Sequence, residues 1–196
     1  MNLSELRQEV YTITNRPDLV AQTLTAIRAA TLKIHQRDYF YKDLFETGIS
    51  FTSSGYTQQI EYRLLIPKWR SLKYIRKTDV TGTEQGSFFD ILVPENVLDD
   101  YKLNRSNICY VAGEVVQIRS KAEIQYAILG CYINPDITEA TYSSWVALDH
   151  PYAIIFEAAS MVFKMIGDTE QFAAYSDLAG MQLQEVVISN IQSSGQ

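Results

Sequence analysis

The chain has 196 residues and a net charge of −6, with 17 lysines and arginines against 23 aspartates and glutamates. Apolar residues make up 46% of it, which excludes an intrinsically disordered polymer and favours a folded protein of one or two domains. The acidic balance argues against tight nucleic-acid binding, because such binding requires basic side chains to neutralise phosphates. The two cysteines, Cys109 and Cys131, are too few for a disulfide framework and are predicted to be small core residues.

The first forty residues are predicted to form two helices. In the first helix, apolar residues recur at steps of three and four, at Leu3, Leu6, Val10 and Ile13. Asn2 followed by Glu5 is typical of a capping box at its start. The second helix is predicted over residues 17–37, with Pro17 in its first turn.

The next part of the chain is predicted to be rich in β-strands. Residues 49–52 and 58–62 flank Ser53-Ser54-Gly55, a pattern typical of a hairpin. Residues 64–77 are predicted to hold one or two further strands, interrupted at Pro67.

A second group of strands is predicted over residues 107–133. The alternation of apolar and polar side chains indicates a three-stranded meander, with its second turn at residues 119–121. Between the two groups, residues 94–101 are predicted to form one or two helical turns.

The last third of the chain is predicted to return to helix. A wide apolar band over residues 151–166 predicts a largely buried helix that ends at Gly167. A second helix is predicted from Asp168, with Gln171 as its capping partner, to Ser189.

The order of these elements predicts an α+β fold, mainly a helical bundle of the N- and C-terminal helices with an inserted antiparallel β region. The bundle is expected to comprise residues 1–38 and 145–191, and the β-rich insertion residues 39–144. Residues 192–196 are expected to be a flexible tail. Neither a signal peptide nor a membrane-spanning segment is predicted, because no apolar stretch is long enough.

No pattern of residues predicts a catalytic, cofactor-binding or metal-binding site. The two histidines, His35 and His150, are far apart, and the only candidate partner nearby is Asp38, three residues after His35. A zinc site needs three or four closely spaced ligands, which the sequence does not offer.

The most distinctive local feature is a run of six basic residues with no acidic one between residues 63 and 77, called here the basic strip. It consists of Arg63, Lys68, Arg70, Lys73, Arg76 and Lys77. Aromatic residues, among them Trp69 and Tyr74, lie between the basic ones. Three interpretations remain open: the solvated face of an amphipathic sheet, a docking strip for an acidic protein partner, or a DNA contact. The net charge of the chain makes the last the weakest.

Several segments, spread over most of the chain, resemble the head-to-tail adaptor proteins of tailed bacteriophages, a family that includes connector, head-completion and tail tubular proteins. They are Val10–Leu19, Ala26–Lys33, Asp38–Leu44, Tyr110–Gly113, Gly130–Pro135, Ser144–Trp145, Pro151–Ala159 and Ile166–Asp168. The order and spacing of these segments carry the resemblance, since no single motif among them is specific.

The resemblance implies a structural protein of the virion neck, made in the cytoplasm of the host bacterium, and not an enzyme. Such adaptors form a homo-oligomeric ring, usually of twelve copies, under the portal protein, and they attach tail, nozzle or fibre-bearing proteins. The genome passes through the ring without specific binding, so acidic side chains are expected to outnumber basic ones on the channel face. No cofactor and no membrane are implied.

Two sets of contact residues follow from the resemblance. The basic strip is a candidate contact with a neighbouring subunit or a tail protein. The other candidate is the C-terminal tail, expected to contact the portal through Gln192, Ser193, Ser194, Gly195 and Gln196. Two other classes of function stay open: a small phage-encoded hydrolase or nuclease, and a monomeric β-type binding module.

Overall fold

A computed structural model of the chain describes residues 1–81, 85–93 and 107–193. The fold is mixed α+β, with a nearly closed sheet. The chain divides into two compact units, one of Met1–Asp43 with Asn134–Gln196 and the other of Leu44–Ile133. The sequence placed the corresponding boundaries at residues 38 and 145, so the first unit takes more of the connecting chain than expected.

The described elements follow the order helix, sheet, helix. In chain order the helices are α1 (Leu3–Thr14), α2 (Val20–His35), α3 (Tyr62–Leu65), α4 (Trp145–Asp149), α5 (Pro151–Ile166) and α6 (Thr169–Ser193). The strands are β1 (Leu44–Glu61), β2 (Trp69–Thr78), β3 (Gln85–Phe88), β4 (Asp90–Ile91), β5 (Ile108–Ala112) and β6 (Val115–Ile133). A short 3-10 turn, Tyr41–Asp43, precedes β1.

The helix ends follow local side-chain chemistry. The predicted capping box is confirmed, because the Asn2 side chain accepts a bond from the Glu5 amide and the Glu5 carboxylate accepts one from the Asn2 amide, each 2.9 Å long. Gly167, with φ of 82°, ends α5 in the left-handed conformation that glycine adopts without strain. Helix α2 begins at Val20, three residues later than predicted, after a turn in which Leu19 donates to the Arg16 carbonyl.

The core of the first unit lies around α5. This helix buries Ile154, Ile155, Ala158 and Val162 completely, against residues of α1 and α2 such as Leu6 and Ile27. Small side chains along α5 and α2 allow the helices to approach closely, while the larger ones fill the space between them. The wide apolar band predicted for residues 151–166 is therefore confirmed as a buried helix.

The described strands form one sheet around β6. Its order is β3-β2-β6-β5-β4, and β1 also pairs with β6. Strand β1 runs antiparallel along β6, from the pair Leu44–Tyr132 to the pair Glu61–Val115. The buried side chains of this second unit, among them Ile75, Ile124 and Leu129, form a core of their own.

Two predicted turns are wrong. Residues 53–55 lie inside the continuous strand β1, so the predicted hairpin of residues 49–52 and 58–62 does not form. Residues 119–121 lie inside β6, so the predicted meander is a hairpin of β5 and β6. Both strands continue through these residues across register shifts, which lie between Ser50 and Thr57 on β1. Gly55 pairs with Ile124, and Arg119 pairs with Thr57 and Ile108.

Other differences are local. Residues 62–65, predicted as strand, form the single helical turn α3, and β2 begins after Pro67. Helix α6 continues to Ser193, four residues beyond its predicted end. The helical turns predicted over residues 94–101 lie outside the described residues. Among the described helices, none is long and apolar enough to cross a lipid bilayer.

Candidate functional site

The basic strip is divided among three local environments. Arg63 lies on α3 and Lys68 in the turn that follows, and both are exposed. The other four bases lie on β2, where the register pairs Lys77 with Ala127, a residue of the buried core. Because directly paired residues project to the same face of a sheet, Lys77 projects to the core face of β2 and not to the opposite face, called here the outer face of the sheet. The six basic side chains therefore do not all project to one face of the sheet.

Two β-bulges set the direction of the basic side chains on β2. The register with β6 shifts between Trp69 and Ser71, at Arg70, and again between Leu72 and Tyr74, at Lys73. A bulge adds one residue to one strand and re-aims its side chain. Arg70 and Lys73 thus occupy the two positions of β2 that depart from simple alternation.

Aromatic rings lie beside the basic groups of the outer face. The Lys73 ammonium lies 5.9 Å from the centroid of the Tyr132 ring, and the Arg76 guanidinium 5.6 Å from that of Phe88. Tyr74 packs edge-on against Phe88 with their ring centroids 5.4 Å apart. A cation over an aromatic face is attracted by the negative potential of the ring, which helps to hold these side chains in place.

Tyr74 lies across the backbone of Gly130 on β6. Its hydroxyl donates a hydrogen bond to the Glu46 carboxylate on β1, so the ring bridges β2, β6 and β1. A side chain at Gly130 would collide with this ring. Burial, followed by the hydrogen bond to Glu46, raises the pKa of Tyr74 to about 12.

At the start of the strip, a cavity of about 630 Å³ opens between α3 and β2. We call it the arginine cavity, because Arg63 and Arg70 both line it. The remaining lining residues are mainly apolar or aromatic, among them Tyr62, Trp69 and Leu72. No pattern in the sequence predicts this cavity, since its formation depends on how the turn between Arg63 and Arg70 is folded.

The first unit contains a buried polar cluster that sequence reasoning missed. His35 Nδ1 lies 2.8 Å from Asp43 Oδ1, and His35 Nε2 lies 2.9 Å from Ser144 Oγ. The Trp145 indole N–H donates to the same Asp43 oxygen at 2.7 Å. His35, Asp43 and Ser144 are only 1%, 5% and 6% exposed. The ring is thus oriented by Asp43, which lies eight residues along the chain and which the sequence analysis did not single out.

This serine, histidine and aspartate are connected in the order used by nucleophilic hydrolases. Ser144 is also the N-cap of α4, since its Oγ accepts the Ala147 amide at 3.3 Å. The cluster joins the end of α2, the 3-10 turn and the start of α4, within one unit.

The two cysteines are free and buried, which confirms the prediction that they are core residues. Burial, with a smaller effect of Asp90, raises the pKa of Cys109 to about 12, from an ordinary 9.0. Burial alone raises the pKa of Cys131 to about 11. Both thiols therefore stay protonated and inaccessible at neutral pH.

We expect neither thiol to react with a thiol-specific reagent in the folded protein at pH 8, and both to react at once in guanidinium chloride. Folding raises the pKa of both thiols above their ordinary value of 9.0. Above about pH 9 the unfolded chain therefore loses these protons while the folded chain keeps them, and the free energy of unfolding decreases as the pH rises. The measurement is a stopped-flow thiol titration with and without denaturant. Fast labelling of the folded protein would contradict this prediction and show that the core of the second unit opens to the reagent.

The other predicted contact set, the C-terminal tail, is divided by the end of α6. Gln192 and Ser193 belong to this helix, whereas Ser194, Gly195 and Gln196 lie outside the described residues.

Helix α6 has an apolar face that its own unit leaves uncovered. Ala179 and Val186 are buried, and Tyr175 stacks on Phe163 of α5 with a centroid distance of 5.3 Å. At 100° per residue, the opposite side of α6 carries three large exposed apolar side chains. They are Met181, Ile188 and Ile191, which are 63%, 54% and 49% exposed. We call this side the outer face of α6.

Metal chemistry has no ready site in the described parts of the chain, where no group of three or more histidine, cysteine, aspartate or glutamate side chains is placed to hold an ion. No protein-family profile matches the sequence, and no curated protein sequence is significantly similar to it.

Proposed function

We propose that this protein is a structural protein of a phage virion, a ring-forming head-to-tail adaptor. In this role it docks under the portal, extends the DNA channel and offers an attachment surface to tail or nozzle proteins. The proposed architecture is a helical bundle of the N- and C-terminal helices with an inserted antiparallel β region. The kind of assembly is suggested by the ordered series of segments, from Val10–Leu19 to Ile166–Asp168, that resembles this family.

The observation that carries the assembly part of the proposal is the outer face of α6. Three large apolar side chains on one side of a 25-residue helix are costly to leave in water. A ring buries such a face against a different surface of the next subunit, because the contacts around a ring are heterologous. Among the described residues of the second unit, Leu64 and Phe88 are also exposed and are candidates for that other surface.

Two of the three acidic residues of α6, Glu170 and Asp177, precede Met181, so the N-terminal half of the helix can border a DNA channel while the outer face, in the C-terminal half, contacts the next subunit. The helix carries Glu170, Asp177 and Glu185 and no basic residue. An acidic surface repels phosphates, so DNA slides past it without being held. We expect acidic side chains to outnumber basic ones on the channel face, and a basic lining would contradict the proposal.

Replacing Met181 and Ile188 by glutamate is expected to abolish ring formation, because each substitution places a charge in an interface that must exclude water. The measurement is negative-stain imaging of the protein mixed with tail-less phage particles, together with mass photometry of the free protein. The wild-type chain should appear as a ring at one vertex of each particle, and the double variant should leave the vertex empty.

A matched control is the double variant Gln8→Glu and Ser176→Glu. It adds the same two negative charges at exposed positions outside the outer face of α6 and should leave the rings intact. Rings formed equally well by both double variants would contradict the role of this face. A wild-type chain that stays monomeric and never decorates the particles would contradict the adaptor function itself.

A further inference from the structure

Strand β1 lies at an edge of the sheet. It pairs with β6 on one side, and no strand within residues 1–81, 85–93 and 107–193 pairs with its other side. Such an edge presents backbone amide and carbonyl groups to any extended chain that reaches it. Proteins usually protect an edge with lysine or proline, yet the 18 residues of β1 include no lysine, arginine or proline. This edge is therefore open to the addition of a strand.

The core of the second unit is incompletely covered along the same edge. Phe45 pairs with Cys131 and Ile49 pairs with Ala127, and both partners are fully buried in that core. Because directly paired residues project to the same face of a sheet, Phe45 and Ile49 also project to the core face. Phe45 is nevertheless 40% exposed, and Ile49 is only half-buried. A further strand beside β1 would cover both side chains.

A cavity of about 470 Å³ lies beside β1, and we call it the edge cavity. Its lining includes the consecutive residues 49–53 and 58–61 of β1 and Leu65 of α3. Successive side chains of a strand point to opposite faces, so a cavity that touches consecutive residues meets the strand at its edge. With Phe51 and Ile60 in its wall, the edge cavity is suited to an apolar side chain.

One side chain fixes the bend of β1 that shapes the edge cavity. The Gln58 amide nitrogen donates to the Ser53 carbonyl at 2.8 Å and to the Ile124 carbonyl at 2.9 Å. These two bonds join the halves of β1 to each other and to β6, across the register shifts between Ser50 and Thr57. The edge cavity thus has its shape before a ligand arrives, which reduces the conformational entropy lost on binding.

The edge cavity carries a negative charge on its outer side. Among the described residues that line it, Glu61 is the one charged side chain, and it is exposed. Its neighbour Ile60 pairs with the buried Val116, so Glu61 projects to the outer face of the sheet. Glu61 is the N-cap of α3, but its side chain makes no capping hydrogen bond there. The carboxylate can therefore pair with a basic side chain of an added strand.

We propose that the edge of β1 binds an extended segment of a partner protein, in which apolar residues alternate with basic ones. The backbone of the segment pairs with β1, its apolar side chains cover the core face and enter the edge cavity, and a basic side chain lies beside Glu61. A second copy of this chain fits less well, because its basic strand β2 already pairs with β3 on one side and β6 on the other. The inference goes beyond the proposed function and does not depend on it.

The test is fluorescence anisotropy with fluorescein-labelled peptides and the free chain, without phage particles. One peptide alternates valine and lysine, a second alternates valine and glutamate, and a third is the lysine peptide with every backbone amide N-methylated. We expect the wild-type chain to bind the lysine peptide about fivefold more tightly than the glutamate peptide, because of the charge of Glu61. The N-methylated peptide should bind at least tenfold more weakly than the lysine peptide, because it cannot donate backbone hydrogen bonds. Equal binding in either comparison would overturn the inference.

A charge reversal makes the test independent of folding defects. Glu61→Lys should reverse the preference, so that the glutamate peptide binds more tightly than the lysine peptide. The control Glu9→Lys makes the same change of charge on α1 and should alter the preference less than twofold. Thermal unfolding checks that both variants are folded. A preference that Glu61→Lys leaves unreversed would overturn the inference. So would a dimer of the free chain, seen in sedimentation, that excludes the peptide, since it would assign the edge to a second copy.

Discussion

Replacing Asp43 by alanine is expected to lower the free energy of unfolding by about 2–6 kcal/mol, because it leaves two hydrogen-bonding groups in the core without their acceptor. Asp43 Oδ1 accepts from the Trp145 indole and bonds His35 Nδ1, and all three side chains lie in the core of the first unit or at its margin. Without the carboxylate, two buried polar groups lose their acceptor at once, and each unsatisfied group adds its own desolvation cost. The measurement is urea unfolding followed by far-UV circular dichroism.

Asp177 provides the matched control, since it is an exposed aspartate on α6. Asp177→Ala should change the free energy of unfolding by less than about 0.5 kcal/mol, as surface substitutions usually do. Ser144→Ala, which removes the cap of α4 and one bond to His35, should cost about 1–2 kcal/mol, less than the loss of Asp43. If Asp43→Ala were as harmless as the control, the cluster would not hold α2, the 3-10 turn and α4 together.

Helix ends and the buried helix were predictable because their signals are local. Asn2 and Glu5 cap the start of α1, and Gly167 ends α5. Each of these signals acts on the helical turn beside it, so the sequence alone reveals it. Turns inside the sheet were not predictable in this way. Ser53-Ser54-Gly55 has the composition of a hairpin turn, but the same small polar residues also suit a bulged strand, and pairing with β6 decides between the two.

The candidate sites show the same limit. The charge of the basic strip was visible in the sequence. The directions of its side chains on β2 were not, because they depend on register shifts at Arg70 and Lys73. The partners of His35 were not visible, because Ser144 lies 109 residues away and no local pattern connects them. Contacts over such separations depend on tertiary packing, which neither periodicity nor spacing records.

Replacing Gly130 by alanine is expected to cost about 1–3 kcal/mol of stability, the usual cost of forcing extra volume into a packed site. The new methyl group would collide with the Tyr74 ring, which lies across Gly130 to reach Glu46. Tyr74 would have to leave this position and lose both the hydrogen bond and its edge contact with Phe88. Since Tyr74 lies between Lys73 and Arg76 in the sequence, the same change is expected to disturb the outer face of the basic strip.

Gly48 on β1 is the matched control, because a methyl group there would meet no atom within 4 Å. Gly48→Ala should leave stability unchanged or raise it by about 0.4–1 kcal/mol, since alanine restricts the unfolded chain more than glycine does. Tyr74→Phe is made in both the Gly48→Ala and the Gly130→Ala protein. It should lower stability only where the Tyr74 ring still lies over residue 130 and its hydroxyl reaches Glu46. A Gly130→Ala protein as stable as the Gly48→Ala protein, with the Tyr74→Phe effect intact, would mean that the sheet absorbs the methyl group without moving Tyr74.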